Sequence, residues 1–176
     1  MLRLATREDV PAILEIYNDA VVNSTASYDL APVSLEDRLA WFDEKTGHDW
    51  PILVAIEDGD VIGWGTYGPF RAKPGYRFTV EHSVYVKAAR RGGGIGTELL
   101  RALIERARSE GRHVMIAGVD AHNEASLRFH EALGFKRVAH FREIGRKFGR
   151  WLDLVFLQLL LEDAKAESSA SVSSDS

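Results

Sequence analysis

Apolar residues recur at intervals of three and four near the start of the chain, at Val10, Ile13, Leu14, Ile16, Tyr17, Ala20 and Val21. That spacing gathers them on one face of a helix. Thr6, followed three residues on by Asp9, signals the helix start, Pro11 is tolerated in its first turn, and the helix is predicted to reach about Val22 after a short strand over 2–5. Ser34 with Asp37, then Leu35, Leu39, Trp41 and Phe42, predicts a second helix fading near Gly47. Residues 23–32 between the two helices read as loop.

The period then changes to two. Residues 52–57 and 61–67 flank Asp58, Gly59 and Asp60, the short glycine-containing turn of an antiparallel hairpin. Over 77–86 the alternation is strict, with Phe78, Val80, His82, Val84 and Val86 to one side and Thr79, Glu81, Ser83 and Tyr85 to the other. A basic, glycine-rich loop follows, then a helix over 95–109 whose Leu99, Leu100, Leu103, Ile104 and Ala107 face the core, ended by Gly111. Residues 114–119 form a β-rich apolar run, so 77–119 reads as strand, glycine loop, helix, strand: a βαβ crossover. Asn123 caps a further helix closed by Gly134, and strands are predicted at 135–141 and 152–160. From about Asp163 the chain is rich in Ser, Ala, Asp and Glu without core formers, which predicts a disordered tail over 163–176 behind a single domain over 1–162.

Composition narrows the function. The chain has 176 residues, 45% hydrophobic and 27% charged, the make-up of one domain with a real core. It carries no run of about 18 apolar residues, and its first twenty residues include Arg3, Arg7, Glu8, Asp9, Glu15 and Asp19, so neither a membrane span nor a secretory signal is expected and the cytoplasm is the expected compartment. There is no cysteine, which excludes disulfides, thiolate metal sites and a cysteine nucleophile. The histidines lack paired ligand spacing, so no metal site is indicated. A net charge of −4 gives no global basic field for nucleic acid or an acidic membrane. A small-molecule partner is expected.

The sharpest local feature is Arg90, Arg91, Gly92, Gly93, Gly94, Ile95, Gly96 and Thr97, between a strand and a helix. Glycines there let the backbone turn its N–H groups inward, and the helix start adds partial positive charge, which together make a cradle for phosphate or pyrophosphate. A P-loop is rejected, because no lysine and hydroxyl pair follows the glycines. A dinucleotide fingerprint is met at Gly94 and Gly96 but has Leu99 at its third glycine, with Asp120 at a tolerable distance beyond. A tight βα connection is the remaining alternative.

Arg91 to Gly96 also matches the Q/R-x-x-G-x-G/A signature of the GNAT N-acetyltransferase superfamily, and Asn123 to Phe135 resembles its later N-x-x-S-x-x-F-Y/H-E-x-x-G-F segment. The resemblance covers nearly the whole chain. Thr79 to Val86, Lys147 to Asp153 and Ile16-Tyr17-Asn18 resemble more narrowly the phosphinothricin and methionine sulfoximine acetyltransferase group. The fold this implies is α/β (α+β): a mixed, mostly antiparallel sheet of six to seven strands with helices on both faces, splayed between its fourth and fifth strands to admit a pantetheine arm. Acetyl-CoA is the implied cosubstrate. By motif position, Val84, Tyr85 and Val86 pair with the arm and acetyl carbonyl, Arg91, Gly92, Gly93, Gly94, Ile95, Gly96 and Thr97 hold the pyrophosphate, and Asn123 and Ala132 contact the cofactor. A homodimer is implied too, in which Trp151 and Asp153 shape a neighbouring site.

Acetyl transfer from a thioester to an amine requires a group that removes a proton, since an α-amine is mostly protonated at pH 7. Glu81 is the candidate base, directly or through water, and the resemblance assigns it the same role. The departing thiolate calls for a donor, and His130, seven residues after Asn123, stands where many superfamily members carry a tyrosine. Tyr85 is a lesser candidate. His82 shares a side with Phe78 and Val80 and reads as a core histidine. Selection of the acceptor is expected from the loop before the key strand. Arg71 or Arg77 would hold a carboxylate or phosphinate, and Phe70, Gly75 and Tyr76 would line the pocket. The expected activity is transfer of acetyl to the α-amine of a small amino acid or analogue of the phosphinothricin, methionine sulfoximine or methionine sulfone type by direct attack, with protein or peptide N-acetylation and a non-catalytic CoA-binding module as the alternatives.

Overall fold

The computed structural model describes residues 1–161. The tail expected over 163–176 lies outside the described residues. In chain order the elements are β1 (Leu2–Leu4), α1 (Val10–Asn23), α2 (Leu35–Gly47), β2 (Ile52–Glu57), β3 (Asp60–Pro69), β4 (Thr79–Val86), α3 (Ile95–Ser109), β5 (Val114–Asp120), α4 (Glu124–Ala132), β6 (Lys136–Lys147) and β7 (Arg150–Leu160). The strands form one seven-stranded sheet in the order β1-β2-β3-β4-β5-β7-β6. Every pairing among the described residues is antiparallel except β4 with β5.

Two apolar clusters lie on opposite faces. On one, α1 and α2 bring Val10, Ile13, Ile16 and Phe42 onto Val54, Val61 and Trp64. On the other, Leu99, Leu100, Leu103 and Ile104 of α3 and Leu127 of α4 cover Val80, Met115, Ala117 and Leu157. The start of α1 shows how sequence fixes local structure. Asp9 accepts from the Thr6 backbone N–H at 2.7 Å and from Arg3 at 2.6 Å, so the capping carboxylate satisfies an orphan donor and an ion pair at once.

The parallel pair positions the site. β4 and β5 are in register only from Thr79↔Val114 to Glu81↔Ile116, although β4 continues to Val86 and β5 to Asp120. Beyond Glu81 the strands diverge, as the resemblance implied, and the facing edges leave backbone N–H and C=O groups without a strand partner.

The C-terminal hairpin departs from expectation. The strand predicted over 135–141 runs as β6 to Lys147, and β7 starts at Arg150, joined by Phe148 and Gly149, both at positive φ. Both central residues lying at positive φ is the twist-matched geometry of a two-residue hairpin turn. Register shifts between Arg137 and Ala139 and between Phe141 and Gly145 break the two-residue period, which is why alternation alone ends the strand early. The strand expected from residue 77 begins instead at Thr79, because Pro74–Tyr76 forms a single 3-10 turn that Arg77 closes.

Candidate active site

The divergence of β4 from β5 opens a cavity of about 580 Å³ lined by both strands, by residues 25–28 of the α1–α2 loop, by Asn123 at the cap of α4, and by Ser126, Phe129 and His130 of α4. Glu81 sits where pairing ends. Its carboxylate projects across β5, and Oε1 lies 3.3 Å from where a β-carbon on Gly118 would stand. A side chain at 118 would compete for that space, and Phe156 and Leu154 of β7 complete the floor. Burial pushes the Glu81 carboxyl above its ordinary value, and the nearby Arg71 guanidinium opposes that shift. A proton is therefore held more readily here than on a solvated carboxylate.

Neighbouring residues of β4 face opposite ways. Tyr85 stacks on Trp64 at 4.9 Å and meets Tyr17 edge-on at 5.3 Å, on the α1–α2 side with Glu81. His82 points to the α3–α4 side. It is buried, and its Nε2 lies 3.1 Å from Nε2 of His130. The alternation along β4 predicts an interior His82 but not its hydrogen-bond partner. Its partner lies 48 residues away on α4, which no local spacing reveals. His130 Nδ1 donates to the Ser126 carbonyl at 2.7 Å, and burial lowers the affinity of its ring for a proton.

The glycine loop lies at the mouth of the cavity. Gly92 and Gly94 have φ of +81° and +85°, and Gly94 caps the N-terminus of α3. An L side chain at either is strained. Arg91 lines the cavity with Gly96, and its Nε donates to the Val86 carbonyl at 3.3 Å, whereas Arg90 turns away to pair with Glu57 at 2.6 Å. Val84, Tyr85, Val86 and Asn123 line the cavity, while Gly92, Gly93, Gly94, Ile95 and Thr97 sit beyond its wall around the start of α3. Ala132 ends α4 on an exposed turn, one turn past the face that presents Asn123, Ser126 and Phe129.

Of the residues expected to bind acceptor, Arg71 is brought near Glu81 and lies over the Phe70 ring at 4.9 Å. Phe70 contacts Phe156 at 5.9 Å and Tyr76 at 6.1 Å, so Tyr76 reaches the floor of the site through Phe70. Of the expected acceptor residues only Glu81 lines the cavity; Phe70, Arg71, Gly75, Tyr76 and Arg77 all lie outside its wall. Arg77 lies over Phe78 at 4.4 Å.

The opposite wall is built by residues 25–28, whose sequence signals only a loop. Thr25 donates to Asp120 at 2.5 Å, Tyr28 donates to the Asp153 carbonyl at 3.3 Å, and Tyr17 donates to Asp29 at 2.5 Å. Buried Lys147 donates to the Ser27 carbonyl at 2.6 Å. Tyr28 also lies against Gly145, where an added β-carbon would come within 2.6 Å of the ring. Apart from Tyr17 with Asp29, 12 residues apart, these contacts join residues about 95 to 125 apart, and those long-range ones have no short-range signature beyond the polar and glycine composition of the segments.

Comparison with known proteins agrees with this geometry. Residues 11–135 match the model of the acetyltransferase (GNAT) family. The L-methionine sulfoximine/L-methionine sulfone acetyltransferase of Pseudomonas aeruginosa is 49% identical over 166 residues, covering 94% of this chain and 96% of that protein. A GNAT superfamily phosphinothricin acetyltransferase from Sinorhizobium meliloti, solved in complex with acetyl-CoA, superposes with a TM-score of 0.89 at 38% identity over 94% of this chain and 90% of its own. A ribosomal-protein-alanine N-acetyltransferase from Brucella melitensis gives 0.90 at 47% identity over 92% of this chain and 99% of its own.

Proposed function

Since the chain belongs to the acetyltransferase (GNAT) family, we propose that it moves the acetyl group of acetyl-CoA onto the α-amine of a small amino acid or analogue of the methionine sulfoximine, methionine sulfone or phosphinothricin type. The observation that carries the reading is the Glu81 carboxylate, half-buried over Gly118 where β4 and β5 part, with Arg71 near it. The kinship with acetyltransferases for such amino acids supports the acceptor class.

In this reading the unpaired edges of Val84, Tyr85 and Val86 receive the amide groups of the pantetheine arm. Asn123 contacts that arm, and Arg91 with residues 92–97 holds the pyrophosphate at the start of α3. Acetyl-CoA supplies the thioester. Arg71 faces the acceptor carboxylate, which leaves the amine toward Glu81. Glu81 accepts a proton from the ammonium, directly or through water, and its raised proton affinity narrows the gap to an amine of pKa near 8. The free amine then attacks the acetyl carbonyl without an acetyl-enzyme, in keeping with a chain that has no cysteine. His130, which lines the cavity from the other side of β4, is the group that gives the departing sulfur a proton. Amine and thiol are thus served from opposite sides of one strand.

The protein is further proposed to work in the cytoplasm as a homodimer. Val138, Ile144, Phe148 and Trp151 of the β6–β7 hairpin are each more than half exposed, an apolar surface that a second copy would cover.

The deciding experiment measures CoA release with methionine sulfoximine, methionine sulfone, phosphinothricin, common amino acids, polyamines and peptides, with product masses. Turnover confined to the sulfoximine-like acceptors is expected. Turnover on peptides alone would move the assignment to protein acetylation, and binding of acetyl-CoA with no acceptor turnover would leave a CoA-binding module.

A further inference from the structure

The two buried imidazoles on the thiol side of β4 hold a proton arrangement that the hydrogen-bonding chemistry fixes. Ser126 offers His130 Nδ1 a carbonyl, which can only accept, so that nitrogen carries a hydrogen. Neutral His130 then has a bare Nε2. The 3.1 Å approach of His82 Nε2 is a hydrogen bond only if His82 donates. His82 Nδ1 is consequently bare, and it is indeed buried without a partner.

We propose that His82 is a positioning residue that controls protonation of His130 by occupying its Nε2 lone pair. For His130 to become an acid, one proton from solvent must settle on its Nε2 while His82 moves its own hydrogen from Nε2 to Nδ1. That change puts an N–H on a buried atom with no acceptor, which disfavours it. When the thiolate takes the added proton as S–H, His82 returns its hydrogen to Nε2 and the pair is neutral again. No carboxylate or cation among the described residues competes with this arrangement. His82 responds to burial and to His130, and is pushed down to about 3. His130 responds to burial and to the Ser126 carbonyl. Phe129 packs on His130, and Phe135 meets both rings edge-on.

The kinetic half of this inference rests on the thiol-side role given to His130 above, while its spectroscopic half does not. The test compares His82→Phe, which removes the donor, with His82→Gln, whose side-chain amide keeps an N–H for His130. The His130 titration is followed by NMR of ring-labelled histidine in the full-length protein, and kcat is measured across pH. In His82→Phe the His130 midpoint is expected to rise by about one unit or more, and the fall of kcat at high pH should move up with it. His82→Gln should stay near the parent in both. An unchanged His130 midpoint in His82→Phe overturns the proposal. A midpoint that moves while the kcat profile stays fixed supports the positioning role and removes His130 from the acid step. Should His82→Phe fail to fold, His82→Leu makes the same comparison.

Discussion

Glu81 and Gly118 occupy one space: the carboxylate of the first lies 3.3 Å from the point where a β-carbon on the second would stand, on the strand from which β4 has just parted. The missing side chain at 118 is what lets Glu81 lie across the gap. Gly118→Val should therefore displace the carboxylate and lower kcat by about tenfold or more, with acetyl-CoA affinity little changed because Val84–Val86 and the glycine loop are untouched. Steady-state kinetics alongside calorimetry with acetyl-CoA checks this. A kcat equal to the parent would show that the base position tolerates a side chain at 118.

Glu81→Gln keeps the shape and removes the proton acceptor. A drop in kcat of about 10²- to 10⁴-fold is expected, with acetyl-CoA binding retained. Activity that persists across the whole pH range in this variant would take Glu81 out of the mechanism.

The pH dependence has a sign that follows from the surroundings of Glu81. As the proposed base it works ionised, and burial holds its pKa above the ordinary carboxylate value, so kcat/KM should begin to fall with decreasing pH sooner than a solvated glutamate would cause. Arg71 favours the ionised form. Arg71→Gln should therefore move that acid limb to higher pH as well as raise KM for a carboxylate-bearing acceptor. A limb that stays in place or moves down would contradict the assigned pairing.

Gly94 caps α3 at φ +85°. Gly94→Val forces a β-branched residue into the left-handed region, at a cost of about 1–3 kcal/mol. Any escape from that strain moves the loop at the pyrophosphate end, so acetyl-CoA should bind about tenfold or more weakly. Calorimetry on the folded variant decides it, since unaltered affinity would detach this loop from the cosubstrate.

Lys147 reaches from β6 to the Ser27 carbonyl and holds the wall formed by residues 25–28. Lys147→Met preserves most of the buried stem but leaves that carbonyl unpaired, which should cost about 1–3 kcal/mol of stability. KM for the acceptor should rise with little change in acetyl-CoA affinity. A thermal melt and a KM both matching the parent would show that Ser27 is held by its other contacts.

Much of this architecture is written locally. The three- and four-residue spacing of Val10, Ile13 and Ile16, the alternation through Val80, Glu81 and His82, and the run of glycines before Ile95 each follow from the repeat of one element, so they can be read without knowing what packs against them. The candidate base and the proposed anion cradle are legible for the same reason. Each lies within one short segment whose backbone geometry is set by its own residues.

What the tertiary structure decided is which distant groups share a space. The parting of β4 from β5 after Glu81 and Ile116 depends on two strands separated by a helix. The pairing of His82 with His130 depends on how α4 packs on the sheet, and the long β6 depends on bulges that erase its alternation. The wall made by residues 25–28 exists because Asp120, Lys147 and Asp153 reach it from the far half of the chain. A periodic pattern records which face of an element is buried, but it carries no information on the partner that buries it. The proton affinities of Glu81 and His130 come from that partner, so the sequence determined the candidates and the fold determined their chemistry.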